Sequence, residues 1–272
     1  MGTLPGSPLG KATVYGDHYD RSLLYAVERA PQRAVLQIGG TLPFTGADRW
    51  TAWEASWLDA HGRPQVAVVR FDVPVHSPAI VESKSVKLYL TALNDTCFDR
   101  ADDYAATLRR DLAVATGTEV RVELIEPARY ALLARAEPAG ECIDGAELHE
   151  RHAHPRASQL ATHADAAEET LYTRLFRSVC PVTGQPDYAT VQIAYRGARL
   201  DRSALLAYLC AYRHHPGFHE HCVESIFTDI SGACAPVALG VTARFTRRGG
   251  IDINPWRRHG ALSLAEQPTP VQ

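Results

Sequence analysis

A cysteine and an aspartate stand seven residues apart in Ser178-Val-Cys-Pro-Val-Thr-Gly-Gln-Pro-Asp187, a segment otherwise rich in turn residues. A thiol beside an acid that can pass a proton is the smallest set able to attack an electrophilic carbon covalently. A free cysteine on its own is commonly a small buried hydrophobe. Here Pro181, Gly184, Gln185 and Pro186 set Cys180 in a turn, where a thiol is usually kept for its reactivity. An ordinary thiol is mostly protonated at neutral pH and needs a base or a positive field. Asp187 is the candidate base, and the candidate acid once an adduct has formed. The pattern has an echo: Leu42-Pro-Phe-Thr-Gly-Ala-Asp-Arg-Trp50 repeats Cys180-Pro-Val-Thr-Gly-Gln-Pro-Asp-Tyr188. The copies share Pro43/Pro181, Thr45/Thr183, Gly46/Gly184 and an aromatic at Trp50/Tyr188, while Leu42 replaces the cysteine and Arg49 the aspartate. The echo predicts a duplicated domain that kept its turn in both halves and its nucleophile in one.

Phe218-His-Glu220 opens an apolar-periodic run. In the plain reading Glu220 is an acid stabilised by the helix dipole, worth ~0.3–1 kcal/mol, and His219 is a surface residue. In the chemical reading, carboxylate and imidazole together hold a ring bearing N–H donors. Cys180, His219, His221 and Cys222 are all metal-ligand types. His219 and His221 point roughly 200° apart around a helix, so a zinc site would use Cys180, His219 and Cys222. Cys222 also belongs to the apolar face, which favours a place in the core. The cluster of His149, His152 and His154 is explained by a solvated connector. Glu82-Ser-Lys-Ser-Val-Lys-Leu-Tyr89 reads as a polar helix start, or as a phosphate grip built on Ser83, Lys84, Ser85 and Lys87. Arg247-Arg-Gly-Gly-Ile-Asp252 joins two arginines suited to phosphate to glycines that admit a close ligand. Neither segment is a dinucleotide fingerprint or a P-loop.

The elements that must position these groups follow from periodicity. Trp53, Ala55 and Trp57 alternate with polar residues, His61-Gly-Arg-Pro64 turns, and Val66 to Val73 returns, which predicts a hairpin. A helix is expected over 99–116, capped by Asp99, with Tyr104, Leu108 and Leu112 on one face and Gly117 closing it. A strand with Val120, Val122 and Leu124 follows. In the second half Val191, Ile193 and Tyr195 alternate and Gly197 turns. Helices are expected over 201–213 (Leu205, Leu209, Tyr212 inward) and 217–230 (Phe218, Cys222, Ile226, Ile230 inward), with Gly232 as the stop. Val237, Leu239, Val241, Ala243 and Phe245 form a last strand. The fold class is α+β, in two domains.

The chain of 272 residues is 46% hydrophobic and 22% charged, enough to bury a core. Its net charge of −3 argues against a general nucleic-acid binder. It has no apolar run of membrane-spanning length and no signal-peptide layout at the N-terminus, and Met1-Gly2 lacks the Ser or Thr of a myristoylation site. A soluble cytoplasmic protein is expected. Its six cysteines form no Cys-x-x-Cys pair and read as free thiols.

Taken together, Glu82 to Tyr89, Ser178 to Asp187, Phe218-His-Glu220 and Arg247-Arg-Gly-Gly-Ile-Asp-Ile-Asn-Pro255 resemble the signature set of the QueF family, over about residues 20 to 260. These are NADPH-dependent 7-cyano-7-deazaguanine reductases of queuosine biosynthesis, here in the longer form. The resemblance implies two tandem tunnelling-fold domains, with antiparallel sheets and helices packed on one face, assembling as a homodimer. It divides the chain into an N-terminal domain at 1–135, a connector at 136–165, a C-terminal domain at 166–262 and a flexible tail at 263–272. It implies reduction of a nitrile to a primary amine by two NADPH. Cys180 would form a covalent thioimidate, Asp187 would donate the proton, and His219 would act with them. His219, Glu220, Glu82 and Ser83 would hold the substrate; Ser83, Lys84, Arg248 and Gly249 would contact NADPH; no metal would be used. Two other readings stand beside this one: a zinc-dependent GTP cyclohydrolase-like enzyme of the same fold, and a non-catalytic binder of purine-like rings with Cys180 merely buried.

Overall fold

The computed structural model describes residues 6–8, 16, 18–262 and 269. Its frame is one eight-stranded sheet in the order β5-β3-β2-β10-β9-β8-β7-β6. The strands are β2 (Thr45–Leu58), β3 (Pro64–Pro74), β5 (Arg121–Ile125), β6 (Glu141–Cys142), β7 (Thr162–Val179), β8 (Pro186–Leu200), β9 (Ala238–Phe245) and β10 (Ile251–His259). All neighbours are antiparallel except β6 and β7. A two-stranded ribbon, β1 (Ala26–Glu28) with β4 (Ala79–Val81), lies apart from it. The helices are α1 (Ala30–Val35), α2 (Ser83–Ala92), α3 (Ala101–Thr116), α4 (Arg202–Cys210) and α5 (His219–Cys234).

Each half of the sheet buries its own core. On β2 and β3, Trp50, Ala52, Phe71 and Val73 meet Tyr89 and Leu93 of the α2 segment and Tyr104, Leu108 and Leu112 of α3. On β8 and β9, Val191, Ile193, Tyr195, Val241 and Phe245 meet Leu205 and Tyr208 of α4 and Cys222, Ile226 and Phe227 of α5. The expected helix faces at 104/108/112 and 222/226/230 are thus the buried ones. The other face of the sheet carries polar side chains at the intervening positions, such as the cross-strand pair Arg49–Asp72, with Nε and Nη2 donating at 2.8 and 3.0 Å.

The halves meet where β2 pairs with β10, from Ile251↔Ala52 to Arg258↔Thr45. Here the two copies of the echo diverge. Thr183-Gly184 forms a turn, with Gly184 at φ +70°. Thr45-Gly46 instead begins β2, where Gly46 lies so close to β10 that a Cβ would stand 2.1 Å from the carbonyl oxygen of Trp256. Leu42, Phe44 and Val75 of the first half pack into the second core.

Several expectations are corrected. A bulge between Ala52 and Ala55 reverses the phase of β2, so Trp50, Ala52, Ala55 and Trp57 face the core while Trp53 turns away and donates to Asp252. Arg100, not Asp99, precedes α3, and it caps without its side chain. Gly197 is not a turn but lies inside β8, where a Cβ would sit 3.0 Å from Pro236 Cα. Gly232 lies inside α5, which ends at Ala235 in the left-handed region (φ 42°). Val237 is exposed beside β9 rather than in it. The polar stretch from 136 yields to β7 at Thr162, whose outer end is exposed on both sides and so shows no alternation. The tail call at 263–272 lies outside the described residues apart from Thr269.

Candidate active site

Four backbone devices bring the candidate residues together. The β7–β8 hairpin sets Ser178 opposite Asp187, so one strand leads into Cys180 and the other carries the carboxylate back beside it. Its turn is closed by Cys180 N donating to Gln185 O (2.8 Å) and Gly184 N to Cys180 O (2.9 Å). The segment before α5 is laced to the same strand end: Val179 N donates to His215 O and Gly217 N to Val179 O, each at 3.1 Å. That pairing fixes the start of α5 next to the thiol. The β9–β10 turn is closed in both directions between Arg248 and Ile251 and holds Gly249 and Gly250 at positive φ. The first half supplies the N-terminus of α2, where Glu82 is the N-cap.

These devices enclose a cavity of about 200 Å³. Cys180, Asp187, His219 and Glu220 line it from the second half, and Glu82, Ser83 and Lys84 from the first. Arg248 and Gly249 line its rim. Every site residue expected from the sequence is therefore in one place. Cys180 is only 7% exposed, so the thiol of an open turn faces inward into the cavity.

Asp187 is buried, with Oδ1 2.9 Å from Arg248 Nη1 and 3.3 Å from His219 Nε2. The His219 ring stacks on Phe245, centroids 3.7 Å apart and 7° from parallel, which fixes its plane. His219 is thus not a surface residue, which corrects that part of the plain reading of Phe218-His-Glu220; Glu220 does stand in the first turn of α5. Glu220 is 4% exposed and its Oε1 accepts no hydrogen bond among the described residues. Burial first, and the nearby Asp48 second, push its carboxyl up to about 7; His219 and Arg29 act the other way. Such a group has room for donors that a ligand could bring.

Glu82 is both cap and wall. Oε1 accepts from Lys84 N (2.7 Å) and Ser83 Oγ (3.3 Å), and Oε2 from Ser85 N (2.9 Å). Burial raises its pKa and these donors lower it. A carboxylate accepts about four hydrogen bonds, so capacity remains for a ligand.

The rim fits a phosphorylated ligand. Lys84, Lys87 and Arg248 line it, and Gly249 has open space where a Cβ would be. Lys87, a member of the candidate phosphate grip, also holds Glu54 at 2.6 Å; that carboxyl packs so near Gly250 that a Cβ there would lie 2.5 Å from it. Gln185, Phe218 and Thr246 also line the cavity. Nothing in their types marks them in sequence, since amide, apolar and hydroxyl residues serve turns, cores and walls alike. Cys222 is in the core, with its thiol pushed up to about 12 by burial. Among the described residues no three or more His, Cys, Asp or Glu side chains gather as metal ligands, and no helix is long and apolar enough to cross a membrane.

The arrangement combines an inward-facing thiol, a buried carboxylate in contact with an imidazole and a guanidinium, a carboxylate oxygen that accepts no hydrogen bond among the described residues, and a basic rim. A family model described as nitrile reductase, 7-cyano-7-deazaguanine-reductase N-term matches residues 15–124, and one of QueF-like proteins matches 186–263. The NADPH-dependent 7-cyano-7-deazaguanine reductase of Bordetella bronchiseptica is 52% identical over 257 residues, 94% of each chain. Proteins of the same name from Burkholderia pseudomallei and Paraburkholderia phymatum are 51% identical (92% of each chain) and 48% identical (96% of each). A solved structure, the archaeosine synthase QueF-Like in the apo form, aligns over 37% of this chain and 99% of its own at 18% identity and a TM-score of 0.32.

Proposed function

The chain belongs to the NADPH-dependent 7-cyano-7-deazaguanine reductase family, and from that premise we propose how its own residues turn a nitrile into an amine. It is an oxidoreductase that converts 7-cyano-7-deazaguanine to 7-aminomethyl-7-deazaguanine for queuosine biosynthesis. Cys180 Sγ adds to the nitrile carbon while Asp187 takes the thiol proton and returns it to the nitrile nitrogen. The product is a thioimidate, C(=NH)–S, whose carbon accepts hydride far more readily than a nitrile does. When bound, NADPH supplies the hydride for each of the two two-electron steps. Between them the C–S bond breaks, Sγ leaves with the bonding pair and is reprotonated, and an imine remains. Glu220, Glu82 and Ser83 hold the ring through its N–H groups, and His219 orients the reacting end. Ser83, Lys84, Arg248 and Gly249 hold the cofactor.

The observation that carries this reading is the single cavity on which Cys180, Asp187, His219, Glu220 and the α2 N-terminus converge beside a basic rim. Its test is to mix the protein with 7-cyano-7-deazaguanine without NADPH and follow intact mass and near-ultraviolet absorbance. A one-to-one adduct that disappears in Cys180→Ala, with ring binding retained, is expected. No adduct together with stoichiometric zinc would overturn the mechanism in favour of a cyclohydrolase-like enzyme. Neither adduct nor zinc would leave a purine-binding module.

We further read the halves, 1–135 and 166–262, as tandem tunnelling-fold domains joined by 136–165. What supports this is that each has antiparallel strands with helices on one face of the sheet. A homodimer in the cytoplasm, without a nucleic-acid partner, fits six free cysteines and the net charge of −3.

A further inference from the structure

A cluster of five buried charges adjoins the site and has no part in the nitrile chemistry described above. Arg29 and Arg33, at the start of α1 and within it, and Asp48 on β2 come from the first half; Glu224 on α5 and Arg257 on β10 come from the second. Glu224 accepts from Arg33 Nε and Nη2 at 3.0 and 2.7 Å, and from Arg257 Nε and Nη2 at 3.1 and 2.9 Å. Asp48 accepts from Arg257 Nη2 at 2.8 Å and from Arg29 Nη2, while Arg29 Nη1 stands 3.8 Å from Glu224. Both Asp48 and Arg257 have no exposed side-chain surface. Three guanidiniums against two carboxylates leave one positive charge unmatched, a costly arrangement in a buried place.

The missing negative charge is one helical turn away. Glu220 and Glu224 are four residues apart on α5, on the same side of the helix, and both are buried. Asp48 and Arg29 are two of the charges that act on Glu220, with His219 the third. We propose that the Arg29–Asp48–Arg257–Glu224–Arg33 cluster positions Glu220 and balances its charge. It clamps the first half of the chain onto the first turns of α5, and its surplus positive charge is matched when Glu220, as carboxylate, accepts the N–H groups of the substrate ring. The proposal rests on the reading of Glu220 as a substrate acceptor. The charged or titratable groups around Glu220 are Arg29 (before α1), Asp48 (β2), Glu82 (before α2), Lys84 (α2), Cys180 (the β7–β8 turn), Asp187 (β8), Arg248 (the β9–β10 turn), Arg257 (β10), and His219, Cys222 and Glu224 on its own helix.

A carboxyl without donors keeps its proton, and one that meets ring N–H groups gives it up. Substrate binding therefore releases a proton at slightly acid pH, and affinity falls about tenfold per pH unit below the carboxyl's midpoint. The experiment is calorimetric titration of 7-cyano-7-deazaguanine into the full chain carrying Cys180→Ala, to avoid adduct formation. It runs from pH 5.5 to 8.5 in two buffers of different ionisation enthalpy. Close to one proton released at pH 6 and none at pH 8.5 is expected. Added Asp48→Asn removes a like charge, so the acid limb moves down by roughly one unit; Arg29→Gln moves it up by roughly as much. Arg29→Lys, which keeps the charge, restores the parent limb. Should Asp48→Asn fail to fold, the Arg29 pair carries the same test. Variants that weaken binding equally at every pH, or no proton release at pH 6, would overturn the proposal. A separate result, Glu220→Gln binding as tightly as the parent with the same acid limb, would instead sink the reading of Glu220 as acceptor.

Discussion

Replacing Glu224 by glutamine removes one of the two carboxylates that neutralise three buried arginines. The hydrogen bonds from Arg33 and the charges of Arg257, Arg33 and Arg29 overcome the burial cost and hold this carboxyl down at about 2, against its ordinary 4.5. A gap of that size corresponds to about 3 kcal/mol of stability. Because the folded value is the lower one, that stability is fully present above pH 4.5 and is lost as pH falls from 4.5 toward 2. Glu220 works in the opposite sense: its folded value of about 7 means the native state keeps a proton that the unfolded chain gives up. Its ionisation thus costs a similar amount as pH rises from 4.5 through 7, a window that lies above the one in which Glu224 titrates. The difference between parent and Glu224→Gln removes the shared contribution. Urea unfolding followed by tryptophan fluorescence should find the variant about 3–5 kcal/mol less stable at pH 7. The gap should hold down to pH 5 and close by more than half at pH 3. A gap below 1 kcal/mol at pH 7, or one equally large at pH 3, would refute the reasoning.

Three further outcomes are expected. Glu220→Gln should be more stable than the parent by up to about 3 kcal/mol at pH 8, with the difference gone below pH 4.5, because it removes a charge the fold resists; a pH-independent difference would contradict this. Asp187→Asn should slow turnover by about 10²–10⁴-fold while leaving ring binding intact, and adduct formation at the parent rate would remove Asp187 from proton transfer. Gly46→Ala should destabilise the chain by about 1–3 kcal/mol or more, since its Cβ would press on the Trp256 carbonyl at 2.1 Å across the seam; an unchanged urea midpoint would show that β2 and β10 can part at no cost.

Side-chain type and local spacing carried the chemistry in this chain. A thiol, an acid seven residues on and turn residues between them are legible without coordinates, because covalent attack requires those groups and a tight hairpin is written in Pro and Gly. Periodicity likewise showed which faces of α3 and α5 are buried, since a residue's direction on a helix depends on its neighbours alone. The bulge in β2 defeated the same logic: one shift of register sends Trp53 away from the core, and strand alternation then describes only one side of the shift.

What the sequence determined by itself was which residues could react and which faces could be buried. Tertiary structure decided where those pieces meet: that β10 pairs with β2 and closes two halves into one sheet, that Glu82 caps α2 and lines the cavity at once, and that Glu220 lies one turn from a buried cluster of charges drawn from both halves. Strand pairing and burial of charge join residues as much as 213 positions apart, as between Thr45 and Arg258. Local patterns do not encode such contacts, because their free energy exists only once distant surfaces have left water together.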